Sequence, residues 1–331
     1  MCCCKYHIRC VFTVYVINLT HLFSSNFHRF RPTIITCPLP YGSNPNFVSM
    51  DTEDCPWNMT INLMKVQYNS LENPTRDFTM CLSPLHGMPS TPENLVQYIE
   101  LNILLGADRF AVYNYSLNVN TLNKILMHYQ KKGIVEIVQW SLPPSVSNNV
   151  WYYAQIAMLN DCLHRNRGVS RYIVSTDLDE FIVPLKQRGW GDFVSKAGPA
   201  CEYEVRNVGL KGSACTPGEN TTNSYVCSSV FQRPILSKYI FNHHVRSKFI
   251  LKTECETVVR IHNTNIPINY SKEIKGEPVK YIGDKNALVL HYGSKKKLFK
   301  NNVGRNTTIL DRYLSDLRKN MIMNLKAINR N

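Results

Sequence analysis

Tyr172-Ile173-Val174-Ser175-Thr176-Asp177-Leu178-Asp179-Glu180-Phe181-Ile182-Val183-Pro184 is an apolar run interrupted once, by three acids. A buried strand does not carry that much negative charge unless a cation meets it. In a regular strand Asp177 and Asp179 would share one face, with Glu180 on the other. At a strand end such a pair supplies oxygen ligands for a divalent ion and leaves positions open for substrate phosphates. A bare Asp-x-Asp triplet is often only a solvated turn, but the apolar flanks set this one against a core. Aspartyl-nucleophile phosphatases also place Asp-x-Asp after a strand. They put Thr or Val two residues past the second acid, where this chain has Phe181, and they put the motif early in the domain. That reading is therefore a distant second.

The chain around the acids alternates strand and helix. Residues from about 24 to 75 are rich in Pro, Asn, Ser and Thr and suit a stem or lead-in. Thr79–Leu82 reads as a short strand stopped by Ser83-Pro84 and Gly87. Thr91-Pro92-Glu93 opens a helix with an N-cap, a proline in the first turn and an acid beside it, and Gly106 ends it. A strand over Arg109–Asn114, a helix from Asn120 to Lys131-Lys132-Gly133 and a strand over Ile134–Trp140 follow. A helix from about Tyr152 to Arg165 then leads into the strand that delivers the acids. Such alternation argues for βαβ units and a parallel sheet. Ligands of open sheets bind outside the carboxyl ends of the strands, where Asp177 and Asp179 sit.

At 331 residues and 44% hydrophobic content, the chain can bury one substantial core with flanking segments. Its net charge of +14 permits an anionic partner. The basic residues are scattered, however, and only Lys295-Lys296-Lys297 form a tight run. No nucleic-acid signature is present, so a solvated basic surface, or one favouring anionic nucleotide-sugars, is expected instead. Cys10 to Phe23 is largely apolar, with Lys5 and Arg9 before it, but shorter than the roughly 20 residues that span a bilayer. It is read as a short signal-anchor or signal-like segment over residues 1–25, with Cys2, Cys3 and Cys4 as acylation sites if cytosolic. Five glycosylation sequons, at Asn58, Asn114, Asn220, Asn269 and Asn306, suggest a secretory compartment. Eight cysteines follow the N-terminal segment without a C-x-x-C pair, so disulfides are expected rather than zinc. Cys201, Cys215 and Cys227 are the foremost candidates, with pairing open.

The order Cys81-Leu-Ser-Pro-Leu-His-Gly87, Glu100 through Gly106-Ala107, Phe110-x-x-Tyr113, Trp140-x-Leu-Pro143, Gln155 through Asn160-Asp161-Cys162 and Asp177 through Pro184 resembles glycosyltransferase family 92. That family is expanded in nematodes and present in plants. Arg246-Ser-Lys248, Ile261-His262 and Leu290-His291-Tyr292 resemble its later motifs, so the likeness spans residues 78 to 293. It implies a GT-A-type, Rossmann-like nucleotide-sugar-binding α/β fold with a mixed central sheet. It also implies an inverting mechanism, a divalent ion (usually Mn2+) and a UDP-sugar donor. Galactose from UDP-galactose, added to a glycan acceptor, is the foremost expectation. A catalytic domain is expected over 78–300 after a stem at 26–77, with a C-terminal helical segment at 301–331. A Golgi membrane protein of type II is expected, its catalytic domain lumenal, or a secreted one if the N-terminus is cleaved.

Under this resemblance Asp179 is the direct metal ligand, Asp177 binds the metal or the donor ribose, and His291 completes the metal shell. Arg246 and Lys248 are expected at the diphosphate. Gln155 and Asp161 lie six apart on one helix and so on different faces, one to meet the nucleotide and the other to fix the helix. Inversion requires a base for the acceptor hydroxyl. Glu219, Glu254, Glu256 and Asp284 are the downstream acids, and the sequence does not rank them. A non-catalytic member that binds glycans or scaffolds other transferases is the alternative, and the presence of Asp177, Asp179 and His291 argues against it.

Overall fold

The computed structural model describes short strands at 13–16 and 33–36, parts of 42–48 and 64–66, and residues 73–87, 91–117, 120–147, 149–211, 234–255, 257–265, 276–292 and 304–330. The expected anchor lies outside these residues apart from Thr13–Val16, which pairs antiparallel with Thr33–Thr36. Among the described residues no helix is long and apolar enough to cross a membrane. The sequons at Asn58, Asn220 and Asn269 also fall outside them.

Eleven strands and five helices carry the architecture described below: β1 (Arg76–Gly87), α1 (Pro92–Leu105), β2 (Arg109–Leu117), α2 (Asn120–Lys131), β3 (Val135–Gln139), α3 (Gln155–Asn166), β4 (Ser170–Thr176), β5 (Glu180–Pro184), α4 (Trp190–Ala197), β6 (Ala200–Val205), β7 (Asn207–Lys211), β8 (Ile235–Ile240), β9 (Lys248–Lys252), β10 (Glu277–Ile282), β11 (Ala287–Tyr292) and α5 (Asp311–Arg330). The central sheet has seven strands in the order β10-β6-β9-β4-β1-β2-β3. β4, β1, β2 and β3 run parallel, while β9 is antiparallel to both of its neighbours. The sheet is therefore mixed, as expected, with its parallel half on the β3 side. One face packs Val96, Ile99 and Leu105 of α1 with Leu126 of α2, Trp190 of α4 and Leu317 of α5. The other holds Met158, Leu159 and Leu163 of α3 against Cys81, Ile173, Phe249 and Leu251.

Local chemistry explains the ends. The Thr91 hydroxyl accepts from the Asn94 N–H, Pro92 follows at the first turn, and Gly106 closes α1 at φ 121 with its N–H on Asn102 and Ile103. Two expectations are corrected. β1 does not stop at Ser83-Pro84 but runs to Gly87, with its register against β2 shifting between Leu82 and Leu85 and again before His86. Proline has no N–H to give the ladder, so the strand bulges past it rather than ending. α3 begins at Gln155, because Tyr152, Tyr153 and Ala154 have φ of 42, 53 and 60, in the left-handed region.

The chain passes three times from the central sheet into a second one, ordered Arg305–Asn306, β8, β7, β11, β5. It crosses from β4 to β5 through residues 177–179, from β6 to β7 through Arg206, and from β10 to β11 through residues 283–286. All three crossings lie at the edge where β4, β6 and β10 end and antiparallel β9 begins.

Candidate active site

The acids form a turn between sheets rather than a continuous strand. The Glu180 N–H bonds the Asp177 carbonyl at 3.0 Å, and the Tyr292 N–H bonds the Asp179 carbonyl at 2.8 Å. The Tyr98 hydroxyl holds the last residue of β4 through the Thr176 side chain at 2.9 Å. Glu180 does not face away on a continuing strand. It is the first residue of β5, buried and turned into the cluster.

Lys248, the first residue of β9, is buried between two carboxylates, its ammonium 2.9 Å from Asp177 Oδ2 and 3.1 Å from Glu180 Oε2. Ser83 donates to Asp177 Oδ1 at 3.0 Å, and the Gln155 amide donates to Ser83 at 2.7 Å. Asn207 donates to Glu180 Oε1 at 3.1 Å. Burial pushes the Asp177 carboxyl up, but the Lys248 charge and these bonds outweigh it and bring it down to about 2. Burial prevails for Glu180, whose carboxyl stays raised despite Lys248. Burial works against the Lys248 ammonium, yet Asp177 and Glu180 hold its pKa well above the ordinary lysine range.

Asp179 is the open acid. Its side chain is half exposed, and Oδ2 lies 3.2 Å from His291 Nε2, while His291 Nδ1 is 3.5 Å from Glu180 Oε1. Burial lowers His291, but Asp179 and Glu180 raise it more, so its pKa lies above the ordinary imidazole value. A carboxylate and an imidazole side by side suit a divalent ion. Asp177 suits one less, since both its oxygens already have partners in Ser83 and Lys248. Among the described residues no group of three or more His, Cys, Asp and Glu stands ready as a metal site. The residues fit an ion held by Asp179 and His291, with remaining positions left to a substrate.

Arg246, two residues before Lys248, is at φ 59, with its guanidinium 5.0 Å from the Phe241 ring centre. Its charge opposes protonation of His291 and of His262, a residue of the Ile261-His262 motif. On the parallel side, the left-handed run at 152–154 builds an aromatic cluster. Tyr153 sits 4.1 Å from the His86 ring and 4.6 Å from Tyr115, and Tyr152 meets His86 edge-on at 5.5 Å. The Trp140 indole holds the Tyr153 carbonyl at 2.9 Å. Each left-handed non-glycine residue costs on the order of 1 kcal/mol, and such strain gathers where function needs it. Tyr152 is half exposed, and burial together with the charges of Asp177 and Asp179 raises its phenol.

The other sequence candidates are placed elsewhere. Asp161 accepts from the Tyr113 hydroxyl at 2.6 Å and pairs with Arg165, so it fixes the helix while Gln155 reaches the acids. Glu254 pairs with Lys252 beyond the far end of β9 from Lys248. Asp284 lies 3.8 Å from Arg206, in the passage from β10 to β11. Glu219 and Glu256 lie outside the described residues. Sequence reading missed Ser83, Asn207 and the Tyr152-Tyr153 pair, and it gave His262 no role. A Ser-Pro inside a strand was the only local signal among them.

The model of glycosyltransferase family 92 matches residues 76–325. The chain belongs to this family. It is 26% identical over 226 residues to the β-1,4-galactosyltransferase galt-1 of Caenorhabditis elegans, covering 66% of this chain and 48% of that protein. It is 22% identical over 169 residues to the galactan β-1,4-galactosyltransferase GALS2 of Arabidopsis thaliana, covering 50% and 32%. The chain thus spans less than half the length of these relatives. Among solved structures it is similar to S. aureus TarS in complex with UDP, at 11% identity and TM-score 0.35, covering 67% of this chain and 62% of that one. The galactosyltransferase LgtC with donor and acceptor sugar analogues is similar at 9% identity and TM-score 0.31, covering 73% and 95%.

Proposed function

We propose that this family 92 chain is a metal-dependent inverting transferase that moves galactose from UDP-galactose onto a hydroxyl of a glycan. The observation that carries the reading is the open Asp179–His291 pair, set at the strand edge beside the buried Asp177–Lys248–Glu180 cluster. The galactosyltransferase activities of the relatives from C. elegans and A. thaliana supply the sugar. Bound there by Asp179 and His291, Mn2+ would neutralise charge on the departing diphosphate. Arg246 adds a fixed positive charge on the same side. Lys248 sets the charge of Asp177 and Glu180 from beneath, rather than meeting the diphosphate directly. The half-buried faces of His86, Tyr115, Tyr152 and Tyr153 suit a stacked nucleobase, as aromatic platforms do. A Golgi membrane setting with a lumenal catalytic domain belongs to the same proposal, supported by the sequons and by the disulfides Cys81–Cys162 and Cys201–Cys255 among the described residues.

The test is UDP release from a panel of UDP-sugars, with manganese or EDTA, alongside Asp179→Ala. The expected result is release from UDP-galactose with manganese, abolished by EDTA and reduced at least roughly 10²-fold in the variant. Loss of the thermal shift produced by manganese with UDP should accompany it. A wild-type protein whose melting temperature ignores manganese and UDP, and which releases UDP from no donor, would sink the reading.

A further inference from the structure

Inversion requires a group that takes the acceptor's proton while its oxygen attacks. The acids nearest the site are committed: Asp177 to Ser83 and Lys248, Glu180 to Lys248 and Asn207, Asp179 to His291. Glu254 pairs with Lys252 beyond the far end of β9, and Asp284 is engaged by Arg206. His262 is placed differently. It sits in the turn of a hairpin whose strands, Val258–Val259 and Thr264–Asn265, are pinned on both sides. The Asn160 amide from α3 donates to the Val259 carbonyl at 2.9 Å and accepts from its N–H at 2.9 Å. Thr264 bonds the buried Glu202 carboxylate of β6. The turn thereby lies over Ser247 and Lys248, at the edge that carries the acids.

The tautomer follows from a single bond. His262 Nδ1 is 3.1 Å from the Ser247 carbonyl oxygen. A carbonyl only accepts, so Nδ1 carries the proton. Burial, then the Lys248 charge, and more weakly Arg246, oppose a second proton. The Ser247 bond and Asp177 favour it but are outweighed, and the ring is lowered to about 4. At neutral pH Nε2 is therefore a bare lone pair, and no hydrogen bond to it is found among the described residues. An ordinary core histidine would be satisfied by its surroundings. This one is fixed through one nitrogen and left unprotonated at the other.

We propose that His262 is the general base of the transfer. Nε2 takes the acceptor hydroxyl's proton as the acceptor oxygen bonds to the anomeric carbon. The bond from that carbon to the diphosphate oxygen breaks, and its electron pair leaves with UDP. This rests on the transferase reading above. The geometry adds a coupling. Besides burial and Lys248, Arg246 opposes protonation of His262, and under the transferase reading it lies on the side of the diphosphate. An anionic donor would offset that charge, so the base gains proton affinity once there is a sugar to transfer.

The test uses the full chain with His262→Ala and His262→Asn, the second keeping an N–H donor toward Ser247. The probes are manganese with UDP for binding, UDP-galactose for turnover, and water or a β-1,4-galacto-oligosaccharide as acceptor. UDP release should fall roughly 10²- to 10⁴-fold in both variants. The thermal shift with manganese and UDP should stay at the wild-type value, and added imidazole should restore part of the rate to His262→Ala. Nitrogen-15 spectra of the wild-type ring should show Nδ1 protonated and Nε2 bare at pH 7, titrating higher once manganese and UDP are bound. Near wild-type turnover in His262→Asn, the opposite tautomer, or a lost thermal shift would overturn the assignment while leaving the transferase reading intact. A wild type that neither binds UDP nor releases it would overturn both.

Discussion

Lys248 shows how one residue can carry a site without touching a substrate. Its ammonium is 2% exposed and neutralises two carboxylates that would otherwise repel each other at the end of β4. Breaking a buried pair by removing one partner typically costs about 3–5 kcal/mol, because the remaining charge is stranded. Lys248→Met keeps most of the volume and removes the charge, so it should destabilise by about that amount in urea unfolding. The loss should shrink on acidification, since protonating the stranded acids relieves them. A variant as stable as wild type would mean that Asp177 and Glu180 reach solvent or another cation. The cluster's ends were legible in the sequence: Asp-x-Asp inside an apolar run, and a histidine closing a late strand. Its middle was legible only in part. The resemblance put Lys248 at the diphosphate, whereas the register sets it opposite Val205 on the buried face, between two acids.

At the scale of elements, composition and punctuation located nearly every helix and strand of the parallel half. Caps and breakers are local, and Thr91, Gly106 and Gly133 act through their own backbone. The misses share one cause. The bulge at Ser83-Pro84, the left-handed run before α3 and the passage of β5 into another sheet depend on what the chain packs against, which short windows do not contain. Pairing of cysteines is a second such case. Cys201 was among the foremost candidates, and its partner is Cys255, so that β6 is tied to the segment after β9. Cys215 and Cys227 lie outside the described residues. The Cys81–Cys162 bridge joins β1 to α3 across 81 residues, with both sulfurs buried. Chain-entropy reasoning puts such a closure at about 4 kcal/mol. The double variant Cys81→Ala/Cys162→Ala should therefore lose roughly 2–5 kcal/mol in denaturant unfolding. Because α3 carries both Gln155 and Asn160, affinity for manganese with UDP should fall alongside stability. An unchanged midpoint would show that the bridge does not constrain the chain.

For the whole molecule, the question is whether the C-terminal helix belongs to the catalytic unit. The sequence suggested a separate amphipathic segment from residue 301 packing on the domain. In the structure Tyr313, Leu317, Met321, Leu325 and Ile328 of α5 are buried in the same core as Phe110, Trp190 and the strands of both sheets. A polar seam locks the contact. Glu100 of α1 accepts from the Tyr129 hydroxyl and from the Asn324 amide, each at 2.7 Å, and Asn324 Oδ1 meets His128 Nε2 at 2.9 Å. A boundary at 300 would cut through that core and leave Glu100 with one partner fewer. Leu317→Ala removes a fully buried side chain and should cost about 2–5 kcal/mol. For a chain of this size each kcal/mol lowers the melting temperature by roughly 2–4 °C, so calorimetry should show one transition shifted down by about 5–15 °C. Two transitions would mean that α5 unfolds as a unit of its own. A single transition, with the manganese–UDP thermal shift retained at low temperature, would make the helix a stabiliser of the fold that leaves the site undisturbed.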